Sequence, residues 1–263
     1  MMRTNPESEN GGPMHKQVDY EVAGPGWRGY YTVAGTAMLF SVLVVVAEIL
    51  IGFLPGVAHA SQRTVTVIDW FTLFQNNWFL GLRNLGLLNL IGAALLTPAF
   101  LAMYFALRRA SEPWAAVGAI RFFMGMAIYM ADNRAFAMLS LSGPFARAAT
   151  EAQRTLLGAA GQAMLVEGSN RVGLFLIDAA GLVLSAVMLR SKIFGKATAY
   201  VGVVGNGLMI VLEMILASAP GWSNVWLIVA MCGGVSIMAW YLLVGRRLFQ
   251  MGAVEEEPQR GKE

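Results

Sequence analysis

Several uninterrupted apolar runs, each of about 20 residues, constrain this chain more than any other feature of its sequence. A helix needs roughly 20 apolar residues to cross about 30 Å of hydrocarbon. The runs also lack the polar alternation of barrel strands. Composition agrees, because 57% of the 263 residues are hydrophobic and only 13% are charged. We therefore predict an all-α fold, a polytopic membrane protein with a six-helix transmembrane bundle.

Helix breakers and charged clusters divide the apolar sequence into spans. Pro55-Gly56 ends the first run, Arg108-Arg109 ends the second and Asp132-Asn133-Arg134 ends the third. The six predicted spans cover approximately residues 30–54, 81–107, 114–130, 170–189, 197–219 and 222–244. The polar segments 1–29 and 250–263 are predicted to be disordered cytoplasmic tails, which leaves 30–249 as one membrane domain.

The long polar stretch between spans three and four contains a further helix signal. Ser142-Gly143-Pro144 is a helix breaker, and Thr150-Glu151-Ala152-Gln153 fits a capping box at a helix start. A helix from there to about Val166 is amphipathic, since Leu156 and Arg154 fall on different faces. We predict that this amphipathic helix lies in the long outer loop, on the surface or capping the bundle.

Lys and Arg are distributed unevenly between the two sets of flanks. One set holds Arg3, Lys16, Arg28, Arg108, Arg109, Arg190, Lys192, Lys196, Arg246, Arg247, Arg260 and Lys262, and the other holds Arg63, Arg134, Arg147 and Arg154. Positive charge in short loops resists translocation, so the first set and both termini are predicted to be cytoplasmic. Ala58-His59-Ala60 resembles a signal-peptidase site, but the apolar run before it exceeds a signal-peptide core, and cleavage at Ala60 stays open.

The sequence also contains a faint internal repeat. Glu48 lies seven residues before Pro55-Gly56, and Glu213 lies seven residues before Pro220-Gly221. Spans one and two would then correspond to spans five and six, as in transporters built from repeats. The alternative is that outward-running helices simply tend to stop at Pro-Gly, and the two interpretations are about equally supported.

Four stretches of the chain resemble a known family. They are residues 81–109, 119–142, 150–165 and 186–207. They are similar to the bacterial multi-span membrane proteins catalogued as domain of unknown function (DUF) 4386, and the resemblance covers nearly everything between the two tails. It implies a six-helix protein of the bacterial cytoplasmic (inner) membrane, and it implies no reaction, ligand or catalytic residue.

Ionisable residues inside the spans are the candidates for function, because each costs about 2.5–3.5 kcal/mol at the bilayer centre. Asp178 lies one heptad from Arg171, and Asn206 lies one heptad from Glu213, so each pair shares a helix face. We predict an outward-facing polar pocket that binds a small polar or lipid ligand. Its lining would be Glu48, Arg83, Asn84, Asp132, Arg171, Asp178, Asn206 and Glu213.

A structural interpretation of the same residues competes with the pocket. Glu48 and Glu213 would form ion pairs with Arg83 and Arg171 that fix helix register, and the protein would be an accessory or assembly subunit of a membrane complex. Arg121, in the cytoplasmic half of span three, is a further candidate contact for a phosphate or a lipid headgroup.

Several chemistries are excluded by residue type. The single cysteine, Cys232, permits no intrachain disulfide, and the two histidines, His15 and His59, lie in polar flanks rather than in spans. Metal sites, rhomboid-type proteolysis and bis-histidine haem are therefore disfavoured. No lysine lies within a span for a retinal Schiff base, and no nucleotide-binding motif is present. We predict no cofactor, no nucleic-acid partner and, on balance, no enzyme activity; the expected partner is the lipid bilayer, with a small-molecule ligand or a membrane protein as further candidates.

Overall fold

The computed structural model describes residues 25–52, 66–165, 170–218 and 223–253, which are helical with short connections and contain no strand. The helices are α1 Pro25–Gly52, α2 Val67–Asn76, α3 Trp78–Asn84, α4 Leu87–Ala131, α5 Ala135–Ala146, α6 Glu151–Leu165, α7 Asn170–Met188, α8 Lys196–Ser218 and α9 Ser223–Ala253. The predicted all-α class is confirmed. Five helical stretches are long and apolar enough to cross a membrane, and they include α1, α4, α7, α8 and α9. Such helices are typical of a membrane-embedded protein.

Helix α4 has 45 residues and doubles back on itself at Ser111. Ser111 has φ −167° and ψ 94°, a non-helical conformation, and Pro113 follows it without a backbone N–H to donate. The rings of Phe100 and Phe122 stack at 3.7 Å between centroids. In a straight helix these residues would be about 33 Å apart. The two halves of α4 therefore run antiparallel, with the reversal at the Ser111-Glu112-Pro113 turn.

The long helices pack as a closed ring. Helix α1 contacts α9 and the first half of α4, where Gly92 faces Ser41. The second half of α4 packs on α7, and α8 then joins α7 to α9. The ring encloses a core in which Trp240 is fully buried, with its indole edge-on to Phe100 at 6.2 Å.

Glycines allow the helices of the ring to approach closely. A Cβ atom placed on Gly35 of α1 would lie 2.5 Å from the backbone nitrogen of Phe249 and 2.7 Å from the carbonyl oxygen of Gly245, both on α9. A Cβ on Gly125 would lie 2.7 Å from the carbonyl oxygen of Gly173 on α7. Backbone atoms cannot move aside as a flexible side chain can, so these positions require glycine.

Helices α2, α3, α5 and α6 form a second, smaller core at the end of the ring far from Ser111. We call this group the cap and the two ends of the ring the cap end and the Ser111 end. The core of the cap contains the buried residues Val67, Trp70, Phe71, Phe74, Leu82, Ala135 and Met138. Helix α6 closes it, since Gly161 contacts Phe71 and Val67 of α2. The sequence predicted a helix at the position of α6. It did not predict that α2 and α3 pack beneath this helix.

A capping box starts helix α2. The Thr66 hydroxyl and backbone N–H both donate to the Asp69 carboxylate at 2.8 Å, and the Asp69 backbone N–H donates to the Thr66 hydroxyl at 3.3 Å. These hydrogen bonds lower the pKa of Asp69 from its ordinary value of 3.8. The box fixes where the cap begins.

Three predicted boundaries need correction. The second span was predicted from Gly81, but α4 begins at Leu87, because Gly86 has φ +91° and interrupts the helix. The first tail was predicted to reach residue 29, but α1 begins at Pro25, a residue well suited to a first helical turn. The second tail was predicted from residue 250, but α9 continues to Ala253. The rest of both tails, the pattern at Ala60 and the prolines of the internal repeat lie outside the described residues.

The close packing of α1 on α9 leads to a stability prediction. We expect Gly35→Ala to lower the free energy of unfolding by about 1–3 kcal/mol, because the added methyl group meets backbone atoms of α9. The matched control is Gly207→Ala, where no atom lies within 4 Å of the new Cβ and alanine has the higher helix propensity. Thermal unfolding of the purified protein in detergent measures both variants. Equal stability of the two variants would contradict the packing described here.

Candidate functional site

Two of the predicted site residues form an ion pair between α1 and α3. Arg83 Nε lies 3.4 Å from Glu48 Oε2, and the two side chains are only 4% and 18% exposed. Neither atom makes a hydrogen bond among the described residues, so the ion pair is an electrostatic contact without hydrogen-bond geometry. Arg83 also donates to the Asn84 side-chain oxygen at 2.9 Å and to the Glu48 carbonyl oxygen at 3.5 Å. Glu48, Arg83 and Asn84 thus form one connected polar group at the cap end.

A second ion pair joins α7 to α8. Arg171 Nη1 lies 3.7 Å from Glu213 Oε2, with the Glu213 side chain 7% exposed. Arg171 is in the first turns of α7 and Glu213 is near the end of α8, so both lie toward the cap end. This arginine places a positive charge beside a largely buried carboxylate.

Asp132 is placed at the junction between the ring and the cap. Its carboxylate lies 3.9 Å from Arg134, which also donates to the Asp132 carbonyl oxygen at 3.0 Å. Arg134 donates in addition to the Met164 carbonyl oxygen of α6 at 3.1 Å. Asp132 therefore orients the arginine that holds α6 over the end of α4.

The remaining predicted residues, Asp178 and Asn206, belong to a polar group deeper in the ring. We define the central polar cluster as Asp178 and Ser185 of α7, Asn206 of α8 and Trp240 of α9; all four residues are buried. Asp178 and Ser185 are one heptad apart and share a face of α7. The Glu213 carboxylate, on the next turns of α8, is close enough to interact electrostatically with Asp178.

Two glycines bring the cluster together. A Cβ on Gly181 would overlap the side-chain amide of Asn206, so the amide lies directly on the α7 backbone. A Cβ on Gly202 of α8 would overlap both the Ser185 hydroxyl and the Trp240 indole nitrogen. These two polar atoms, from α7 and α9, therefore meet over the same glycine. Larger residues at either position would separate the helices.

Three polar atoms of the cluster make no hydrogen bond among the described residues. They are Asp178 Oδ2, Ser185 Oγ and Trp240 Nε1. Asn206 differs, because its Nδ2 donates to the Gly202 carbonyl oxygen at 2.7 Å. Each buried polar group without a partner costs about 1–3 kcal/mol. The cluster therefore combines a carboxyl oxygen, a hydroxyl and an indole N–H that have no hydrogen-bond partner among the described residues.

Arg121 belongs neither to the ion pairs nor to the central polar cluster. Its side chain is exposed on the second half of α4, so it points away from the ring. Sequence reasoning did not assign Ser185 and Trp240 to a site. The heptad spacing from Asp178 could have indicated Ser185, whereas a tryptophan near the end of an apolar run is usually taken as a membrane-interface residue.

Metal binding has no support in the described part of the chain, where no three His, Cys, Asp or Glu side chains cluster. Arg171 Nη1 lies 3.7 Å from Glu213 Oε2, so this carboxylate already has a positive charge beside it. The arrangement suits hydrogen bonding to a small molecule better than cation coordination.

Comparisons with known proteins add no family assignment. No protein-family model matches the chain, and neither the curated proteins nor the solved structures compared with it gave a match.

The Glu48–Arg83 pair leads to a stability prediction. We expect Glu48→Gln to destabilise the protein by on the order of 3 kcal/mol, because it leaves the 4%-exposed Arg83 guanidinium without its counter-charge. The double variant Glu48→Gln with Arg83→Met should recover most of this loss, since the unpaired charge is removed as well. Unfolding in detergent across the double-mutant cycle measures the coupling. If the single losses simply add, the pair has no energetic role.

Proposed function

We propose that this protein binds a small polar ligand at the central polar cluster, within the membrane-spanning ring. The observation that supports the proposal is the presence of three buried polar atoms, on Asp178, Ser185 and Trp240, without hydrogen-bond partners among the described residues. Polar groups with this environment are costly in hydrocarbon unless a ligand or solvent engages them. The outer carboxylates Glu48 and Glu213, by contrast, contact arginines.

The proposal includes six spans and an orientation. The two halves of α4 each have about the length of one crossing, so α4 supplies two spans and α1, α7, α8 and α9 supply the others. The Ser111 end holds Arg108, Arg109, Arg190, Lys192, Lys196, Arg246 and Arg247. By the positive-inside rule this end faces the cytoplasm and the cap faces outward. The resemblance to domain of unknown function 4386 is consistent with a bacterial inner membrane.

The chemistry of the cluster limits the ligand class. Asp178 offers a carboxylate oxygen, Trp240 offers only a donor, and Ser185 can donate or accept. Because Arg171 lies beside Glu213, Asp178 is the acidic side chain of the cluster that a ligand would contact. A small molecule with an amine or hydroxyl donor for Asp178 and an acceptor for Trp240 fits these groups.

A cysteine-accessibility experiment tests whether the cluster is reachable. In a Cys232→Ser background, we expect Ser185→Cys to react with a small hydrophilic methanethiosulfonate about tenfold faster than Ala180→Cys, equivalent to about 1.4 kcal/mol less opening free energy. Ala180 is a matched control, because it is equally buried on α7 but its backbone faces Gly118 of α4. Labelling rates in proteoliposomes provide the measurement.

The same experiment separates the two functional hypotheses. Equal and slow labelling of both cysteines would show a closed core, and the binding proposal would be abandoned. The accessory-subunit hypothesis would then be preferred, and the ion pairs at Glu48 and Glu213 favour it because they join neighbouring helices. Fast labelling should in turn be slowed by amine or polyol ligands that raise the melting temperature of the wild type but not of Asp178→Asn.

The orientation leads to its own prediction. In the Cys232→Ser background, Ala110→Cys at the Ser111 end should be labelled by an impermeant maleimide only in inverted membrane vesicles. Leu156→Cys on α6, whose native side chain is 71% exposed, should be labelled in intact spheroplasts. Labelling of residue 110 from outside would reverse the assignment of the two faces.

A further inference from the structure

A cavity lies at the Ser111 end, away from the central polar cluster. It has a volume of about 250 Å³ and is lined by Ser111, Trp114, Val183, Ala186, Val187 and Arg190. We call it the α4–α7 groove, because the first two residues belong to the turn and second half of α4 and the others to α7 and the turn after it. The groove opens on the outside of the ring, where the bilayer would lie.

The walls of the groove are apolar and its mouth is not. Val183, Ala186 and Val187 form a strip along α7, and the small Ala186 leaves room beside the indole of Trp114. Trp114 is 57% exposed. An exposed tryptophan at the end of a membrane-length helix is typical of the headgroup level of a bilayer.

Arg190 supplies a charge at the mouth of the groove. Its side chain is exposed, and that side chain makes no ion pair or hydrogen bond among the described residues. Three more basic residues lie at this end: Arg108 and Arg109 at the end of the first half of α4, and Lys192 after α7. Glu112 is the acidic residue of the α4 turn. The positive excess favours an anionic occupant.

We propose that the α4–α7 groove binds one anionic phospholipid. The acyl chain lies along Val183 and Val187, the Trp114 ring packs at the level of the glycerol, and the phosphate contacts Arg190. Free phosphate would use the charge but leave the apolar walls uncovered, so the occupant is a lipid. The inference rests on the membrane assignment alone, and it does not depend on a ligand at the central polar cluster.

The groove also changes the role expected of Arg121. Arg121 is one heptad beyond Trp114 on the same face of α4, about 10 Å farther from the Ser111 turn. At that depth it lies beside an acyl chain rather than a headgroup. Arg190 is therefore the phosphate contact, and Arg121 has to extend its side chain toward the interface.

Native mass spectrometry of the full-length protein from mixed micelles tests the headgroup contact. The probes are phosphatidylglycerol and phosphatidylcholine. We expect the wild type to retain phosphatidylglycerol selectively, and Arg190→Gln to reduce the retained population about fivefold. Lys192→Gln is the matched control, since it removes the same charge two residues away, outside the groove lining. Equal loss in both variants, or no preference for phosphatidylglycerol, would overturn the proposal.

Fluorescence quenching tests the position of the lipid independently of stability. Brominated phosphatidylglycerol should quench a component of the tryptophan emission that is missing in Trp114→Phe, and brominated phosphatidylcholine should quench that component less. Excess inorganic phosphate should not relieve the quenching, because it cannot replace the acyl chain. Relief by phosphate, or an identical response to both brominated lipids, would contradict a phospholipid in the groove.

Discussion

Charged and polar side chains in a hydrocarbon environment need partners from the protein itself, and this requirement organises the ring. Arginines reach glutamates where helices end, and both contacts lie toward the cap end. Away from the ends, the central polar cluster lies on the inward faces of α7, α8 and α9, where Gly181 and Gly202 allow the helices to approach. Glu48, Arg83 and Glu213 also have atoms without a hydrogen bond, but those atoms face an opposite charge, whereas the three unbonded atoms of the central polar cluster take part in no ion pair among the described residues.

Helix class and approximate positions could be predicted from the sequence because apolar length and breakers are local properties. The turn at Ser111-Glu112-Pro113 separated two apolar runs in the sequence, and the backbone reverses there. The cap could not be predicted in the same way. Helices α2 and α3 are short, and their aromatic residues such as Trp70 and Phe74 acquire meaning only when α5 and α6 cover them. The onset of α4 was misplaced because Gly86 interrupts an otherwise continuous apolar stretch.

The sequence pointed to Asp178 and Asn206 but not to Ser185 and Trp240, and it did not separate the residues of the ion pairs from those of the central polar cluster. Heptad spacing showed that Asp178 shares a face with Arg171, and depth matched Glu48 to Arg83. Spacing along one helix cannot show which helices are neighbours. The neighbouring helices decide which charged side chains form ion pairs and which do not. Trp240 illustrates the limit, because its indole nitrogen becomes part of a site only through Gly202 of α8. Non-local packing of this kind leaves no mark in the spacing of a single helix.

The position of the cap within the chain has a consequence for biogenesis. All four of its helices fall between Val67 and Leu165, so every residue of its core is translated before α7 begins. Domains generally fold in the order in which they emerge from the ribosome. The cap can therefore assemble around the hairpin of α4 while the ring is still incomplete. Helices α7 to α9, which supply the central polar cluster, then pack against a part of the protein that has already formed.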